Sequence, residues 1–313
     1  SRTMLWNLKR GVWDDRMLKA AGLDESLLPD VVECGDAIAD LAMPGWPRVP
    51  VFAGGGDQQC AALGVGVVRS GAGKATFGTG TFLLAQTGGL RFDPARRAIT
   101  TRHCIPGEFA VEISQFSAGT SLRWVRDILY REIAGRRDAY DRIVREAARA
   151  SHDTPQFLPY VTGAGAPHWS SGARGALTSL TLGHGRREIA RAVLEGVARE
   201  AAVGAKLLAG LGAKRIVIDG GLSRSELFAK TFAALSPLAV SKSPVVEATA
   251  LGAAMIASVG SGVHSDFAKA ARAMVRDSSR LRVDRRLKRT LDQRSHGWQR
   301  WSKFAIDDDD PGE

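Results

Sequence analysis

Between residues 186 and 208 the apolar side chains Ile189, Val193, Val197 and Ala201 recur at helical spacing, which predicts one long helix with a buried face. Short apolar runs closed by glycine or proline predict strands at 49–53, 74–85 (interrupted by Gly78-Thr-Gly80), 98–103, 109–114, 176–182, 215–219 and around Val240. Further helices are expected near 13–21 and at 58–68, 120–133, 137–150, 225–235 and 247–259, with an irregular loop over 155–175 and a mostly helical, solvent-facing remainder. Strands interleaved with helices predict an α/β protein with a mixed sheet flanked by helices. The turn Arg69-Ser-Gly-Ala-Gly73 divides the chain into 1–68 and 69–313. The first strand, 49–53, reads as buried.

Two segments carry chemistry. In Val51-Phe-Ala-Gly-Gly-Gly-Asp-Gln-Gln59 an apolar strand gives way through three glycines to a helix, placing the carboxylate of Asp57 where backbone can approach a ligand. Such a carboxylate can accept a proton from a hydroxyl, or it can simply cap the helix that follows. In Gly78-Thr-Gly-Thr-Phe82 a tight turn between two strands offers N–H groups and a hydroxyl to anionic oxygens. A base beside an anion-binding turn points to phosphoryl transfer to an alcohol. Farther on, Arg215-Ile-Val-Ile-Asp219 runs directly into Gly220-Gly221 and a helix, the strand–turn–helix order of a ligand crevice.

These segments, together with Ser1-Arg-Thr-Met-Leu-Trp-Asn-Leu8, Ser117-Ala-Gly-Thr-Ser-Leu-Arg-Trp-Val-Arg-Asp127, Gly163-Ala-Gly-Ala-Pro-His-Trp169, Asp219-Gly-Gly-Leu-Ser-Arg-Ser-Glu226 and Glu247-Ala-Thr-Ala-Leu-Gly-Ala-Ala254, resemble the FGGY family of carbohydrate kinases over nearly the whole chain. The likeness is strongest to members that phosphorylate glycerol. It implies an actin-like ATPase (ribonuclease H-like) fold and an ATP-dependent phosphotransferase acting on a primary hydroxyl of a polyol or sugar, glycerol before the pentuloses xylulose and ribulose. Asp57 would be the catalytic base; Gln58 and Phe82 would join it in contacting the substrate, with Phe82 backing the carbon skeleton. Thr79 would meet the terminal phosphate, and Gly119, Arg123, Gly221 and Ser225 the rest of the nucleotide. Arg123 departs from the glycerol-phosphorylating members, which usually carry glutamine there. The Mg²⁺ such a reaction needs would be held by carboxylate, water and phosphate oxygens, with no dedicated metal residue beyond Asp57. The family's glycine-rich phosphate hairpin and several substrate contacts are absent before Ser1, so the expectation is a C-terminal portion of a longer kinase. A non-catalytic actin-like module that binds nucleotide and a protein partner is the alternative.

Composition narrows the classes. At 44% hydrophobic and 24% charged residues the chain is ordinary for a globular protein. No run of about eighteen apolar residues is present, and the reading is a cytoplasmic protein without membrane association. The net charge of +10 is concentrated toward the C-terminus, but Asp277, Asp284, Asp292 and the run Asp307–Asp310 interrupt it, so a solvated face is expected rather than a nucleic-acid site. It would still steer an anion such as ATP. A homo-oligomer is compatible with the sequence. Gly71-Ala-Gly-Lys-Ala-Thr76 mimics the end of a phosphate-binding P-loop, but Val68 stands where the first glycine belongs and Ala75 follows the lysine. Cys34, Cys60 and Cys104 lack CxxC spacing and the six histidines lack metal spacing, so free thiols and no zinc site are expected.

Overall fold

The computed structural model describes residues 3–307; Ser1 and Arg2 of the first motif and Asp308–Asp310 of the acidic run lie outside them. Seven strands form the central sheet in the order Ser279–Arg280, Ala239–Lys242, Arg215–Asp219, Ala72–Phe77, Thr81–Gln86, Phe109–Gln115, Ile99–Arg102. Ala72–Phe77 and Ala239–Lys242 both run parallel to Arg215–Asp219, whereas every other neighbouring pair is antiparallel. The mixed sheet expected from the pattern is therefore present. Its two central parallel strands end side by side, at Phe77 and Asp219, and each feeds a glycine turn.

One sheet face, carrying Ala75, Phe77, Leu83, Ala85, Val111 and Ile113, packs on the long helix Arg186–Gly210. The opposite face carries Lys74, Leu84 and Glu112 by strand alternation. Leu84 there meets Ala61, Ala62 and Ala248, from the helices Asp57–Gly64 and Ala248–Gly260. These two helices touch backbone to backbone. A Cβ on Gly64 would stand 1.9 Å from the Ala248 carbonyl oxygen, and one on Gly252 would stand 1.8 Å from that of Cys60. Thr249 Oγ1 also lies 3.5 Å from the Asp57 carbonyl oxygen, its acceptor.

Three expectations change. Val49–Phe52 is not a buried strand: it pairs with Ala37–Leu41, and Val49 is 41% exposed, because the helix Ala248–Gly260 meets the ribbon at its Phe52 end and leaves the Val49 end open. The helix expected to Val68 stops at Gly64, where Val65 caps it and Gly66 takes a φ of +84°. The C-terminal helices are not merely solvent-facing. Leu291 and Trp298 are buried, Trp298 Nε1 donates to the Phe157 carbonyl at 3.0 Å, and Arg294 pairs with the buried Glu195 of the long helix at 2.9 Å. Their basic outer face, dominant in the sequence, conceals these inward anchors.

Gly252→Ala should destabilise the protein by about 3 kcal/mol, since its methyl has only backbone to displace. Gly210→Ala, with open space around it at the end of the long helix, should cost nothing or gain up to about 1 kcal/mol in urea unfolding. His103, 3% exposed, is held by burial at a pKa of about 4, below the usual 6.5. Between those values the unfolded chain binds a proton that the folded one refuses, so stability must fall as pH drops through this window, by on the order of 3 kcal/mol in full. His103→Gln should flatten that part of a denaturant midpoint-versus-pH curve.

Candidate active site

The turn Gly78–Gly80 is held from below and from the side. Phe77 is fully buried, edge-on to Phe228 and Phe232 with centroids 4.7 and 5.2 Å away. From the side, Ala118 N and Thr120 N donate to the Thr79 carbonyl at 3.0 and 3.1 Å, and Gly119 N donates to the Gly78 carbonyl at 2.9 Å. A Cβ on Gly119 would lie 2.7 Å from that same Gly78 oxygen, so glycine is needed for the helix Gly119–Leu129 to start here. The amides at the start of this helix are thus occupied by the turn, and an anion would meet Thr79 at the exposed tip instead. The second turn is equally constrained: Gly220 has a φ of +88° and sits against Phe77, whose carbonyl oxygen would be 2.6 Å from a Cβ. Gly221 next to it faces open space.

Between the two turns lies a cavity of about 630 Å³. Thr79, Gly119, Arg123, Gly221 and Ser225, drawn from three separate motifs of the sequence, all line it. Ser225 also caps the helix Glu226–Leu235, accepting from Phe228 N at 3.2 Å. The sequence reading missed the far wall, where Tyr140, Asp141, Val144, Arg145 and Ala148 come from the helix Ala139–Ala148. Their three- and four-residue spacing was the available signal, and it reads equally well as an ordinary amphipathic face. With Arg224, the wall raises the cavity's arginines to three, countered by Asp141 and Glu226.

Asp57, Gln58 and Phe82 lie outside this cavity. Gly56 caps the Asp57–Gly64 helix through backbone, so Asp57 is the first helical residue and its side chain makes no capping bond across the first turn. Oδ1 accepts from the adjacent Gln58 N at 2.7 Å, and the residue is exposed. Phe82 is half-buried between Thr76 and Ser114, on the sheet face that carries Lys74 and Glu112.

Lys74 connects the two regions. Dismissed in the sequence as a failed P-loop lysine, it is completely buried and its Nζ donates to Gln58 Oε1 and Thr76 Oγ1, both at 2.6 Å. Because an ammonium only donates, the Gln58 amide must present its oxygen to Lys74, which leaves its NH₂ on the Asp57 side, donating to Asp57 Oδ2 at 3.4 Å. Burial lowers the Lys74 pKa, while the carboxylates of Asp219, Glu112 and Asp57 act to hold its proton. Burial likewise raises the Asp219 pKa against the pull of Lys74 and a bond from Thr76. Glu112 is fixed in turn by Gln59 Nε2 at 2.5 Å. The result is a buried cation ringed by carboxylates beneath both turns.

Residues 73–261 match the C-terminal domain of the FGGY family of carbohydrate kinases and residues 1–64 match its N-terminal domain, so the chain belongs to that family. It is 37% identical over 273 residues to a glycerol kinase of Thermus brockianus, covering 85% of this chain and 54% of that protein. It is 36% identical over 322 residues to one of Alkalilimnicola ehrlichii, covering 99% and 63%. The chain thus spans between half and two-thirds of the length of the curated relatives it matches. Among solved structures, a Plasmodium falciparum glycerol kinase with ADP superposes with a TM-score of 0.84 at 23% identity, covering 97% of this chain and 62% of that one. A ligand-bound xylulose kinase from Lactobacillus acidophilus gives 0.85 at 19%, covering 97% and 62%. The fold is therefore that of these actin-like kinases, and no helix among the described residues is long and apolar enough to cross a membrane.

Lys74→Met should leave its carboxylate neighbours without their counter-charge and cost about 3–5 kcal/mol at neutral pH. The deficit relative to the parent chain should shrink as pH is lowered and the carboxyls neutralise, which urea titrations at a series of pH values would read directly.

Proposed function

We propose that this chain provides the catalytic base and the nucleotide site of an ATP-dependent kinase that phosphorylates a primary hydroxyl of a polyol, glycerol being the best-matched substrate and a pentulose the next. The observation that carries this reading is the 630 Å³ cavity at the ends of the two central parallel strands, lined by Thr79, Gly119, Arg123, Gly221 and Ser225. Identity to glycerol kinases above 35% over most of the chain supports the choice of acceptor. In this reading residues 1–68 belong to the acceptor side, and residues 69–313 to the nucleotide side. An ATP requirement fits a cytoplasmic location.

Phosphoryl transfer asks the protein for positioning, charge neutralisation and a base. The three arginines of the cavity attract the polyphosphate, and Gly221, with no neighbour where a side chain would be, lets backbone lie against the nucleoside. Thr79 at the exposed tip of its turn offers a hydroxyl to the terminal phosphate. Asp57 accepts the proton of the attacking hydroxyl; the second N–H of the Gln58 amide, whose orientation Lys74 fixes, donates to a hydroxyl oxygen of the acceptor, and Phe82 shields its carbon chain. The donor set suits magnesium: Asp219 has a buried Oδ1 without a hydrogen-bond partner, and Asp57 is an exposed carboxylate. When bound with ATP, that ion would neutralise phosphate charge, with Asp219 and Asp57 as its protein ligands.

ADP release in the presence of ATP, Mg²⁺ and glycerol, xylulose or ribulose tests the reading. Asp57→Asn should reduce acceptor-dependent turnover by roughly two to four powers of ten, while calorimetric nucleotide affinity stays within about threefold. Undiminished turnover in that variant would overturn Asp57 as the base, and absence of nucleotide binding by the parent chain would overturn the cavity assignment.

A further inference from the structure

The three cysteines, far apart in sequence, meet at one point. A Cβ placed on Gly55 would stand 2.2 Å from Cys104 Sγ, 3.5 Å from Cys34 Sγ and 3.6 Å from Cys60 Sγ. They arrive from three directions: Cys34 from the segment before Ala37–Leu41, Cys60 from the Asp57–Gly64 helix, and Cys104 from just beyond Ile99–Arg102. Glycine at position 55 is what makes the meeting sterically feasible. All three are free thiols. Among the described residues no group of three or more His, Cys, Asp or Glu side chains is disposed to hold a metal ion.

Access differs among them. Cys34 and Cys104 both line a second cavity of about 1130 Å³, whereas Cys60 does not. Cys34 is partly exposed and the other two are buried. Cys104 lies within hydrogen-bonding contact of both Cys34 and Cys60. That contact lowers the Cys34 thiol pKa and brings Cys60 to about 7, while Cys104 is pushed upward in exchange.

We propose that these residues form a thiol-modification site in which Cys34 reacts with a hydroperoxide entering through the second cavity and Cys104 resolves it as a Cys34–Cys104 disulfide. With hydrogen peroxide, the Cys34 thiolate attacks one oxygen, the S–O bond of the sulfenic acid forms as the O–O bond breaks, and the departing hydroxide takes up the proton the thiol released and leaves as water. The Cys104 sulfur then attacks the sulfenic sulfur, the S–S bond forms, and the second water carries away the hydroxyl and the Cys104 proton. Two thiols lose two electrons and hydrogen peroxide is reduced to two waters.

The site is wired to the turn that precedes Asp57. Cys34 Sγ donates to the Gly54 carbonyl at 3.1 Å, and Cys60 Sγ donates to that of Gly55 at 3.4 Å. Disulfide formation removes the Cys34 donor from Gly54 and pulls Cys104 from its place against Gly55, so the Gly54–Gly56 turn must readjust. Any consequence for catalysis rests on Asp57 acting as proposed above; the disulfide and the readjustment do not.

The test treats the chain with hydrogen peroxide, blocks remaining thiols, digests without reductant and identifies linked peptides by mass spectrometry. The expected product is a Cys34–Cys104 pair lighter by two hydrogens, reversed by dithiothreitol and retained in Cys60→Ser. In Cys104→Ser, checked for folding by circular dichroism, Cys34 should instead accumulate a dimedone-reactive sulfenic acid. Absence of a linked pair in the oxidised parent chain, or a Cys60–Cys104 pair in its place, would overturn the proposal. Amide hydrogen exchange over residues 54–58 should change by more than about threefold on oxidation of the parent chain and not of Cys104→Ser. Equal exchange would sink the coupling to the turn even if the disulfide forms.

Discussion

Two helices, Asp57–Gly64 and Ala248–Gly260, cross with so little space that neither tolerates a side chain at the contact: Gly64 abuts the Ala248 carbonyl and Gly252 the Cys60 carbonyl. Contact of this kind locks orientation, because backbone atoms cannot move aside as a flexible side chain can. Asp57 begins the first helix, and the second returns from the part of the chain that carries the 630 Å³ cavity. Their crossing sets where Asp57 stands relative to the sheet. The neighbouring Gly260 continues the clasp, since a Cβ there would meet the Gly35 carbonyl at 2.5 Å and the Phe52 ring at 2.6 Å.

Beneath this clasp a single buried ammonium organises the polar groups. Lys74 orients the Gln58 amide and the Thr76 hydroxyl, and its charge offsets Asp219 at the end of one parallel strand, Glu112 on the sheet face, and Asp57 at the helix start. An isolated charge in such a place would be strongly disfavoured, and so would the carboxylates without it. The lysine and its acids therefore stand or fall together. This mutual dependence gives the start of the Asp57–Gly64 helix and the Gly78–Gly80 turn a common electrostatic floor, so a change at either is felt at the other.

Much of the fold was readable because it rests on local signals. The 186–210 helix follows from its apolar period, the strand pair about Gly78–Gly80 from its turn, and the 215–219 strand from an unbroken apolar run ended by two glycines. The five cavity residues were legible for a similar reason: each sits at a glycine turn or helix start, where sequence punctuation is strongest. Tyr140 and Arg145 were not, because a helix face that lines a cavity carries the same period as one that covers a core. The Val49–Phe52 ribbon misled in the opposite direction: apolar composition implied burial, but burial depends on what lies above a strand, which composition does not encode.

By itself the sequence determined the long helices, most strands of the central sheet, their glycine turns, and the position of Asp57 after three glycines, since each depends on backbone preferences within a few residues. Only the tertiary structure decided that a lysine resembling a failed phosphate loop is a buried charge hub, that three scattered cysteines converge on Gly55, and that exposed-looking C-terminal helices anchor on the long helix. Those outcomes depend on which segments are adjacent in space. Adjacency is settled by packing across the whole chain, where a single missing Cβ can open the room that distant side chains share.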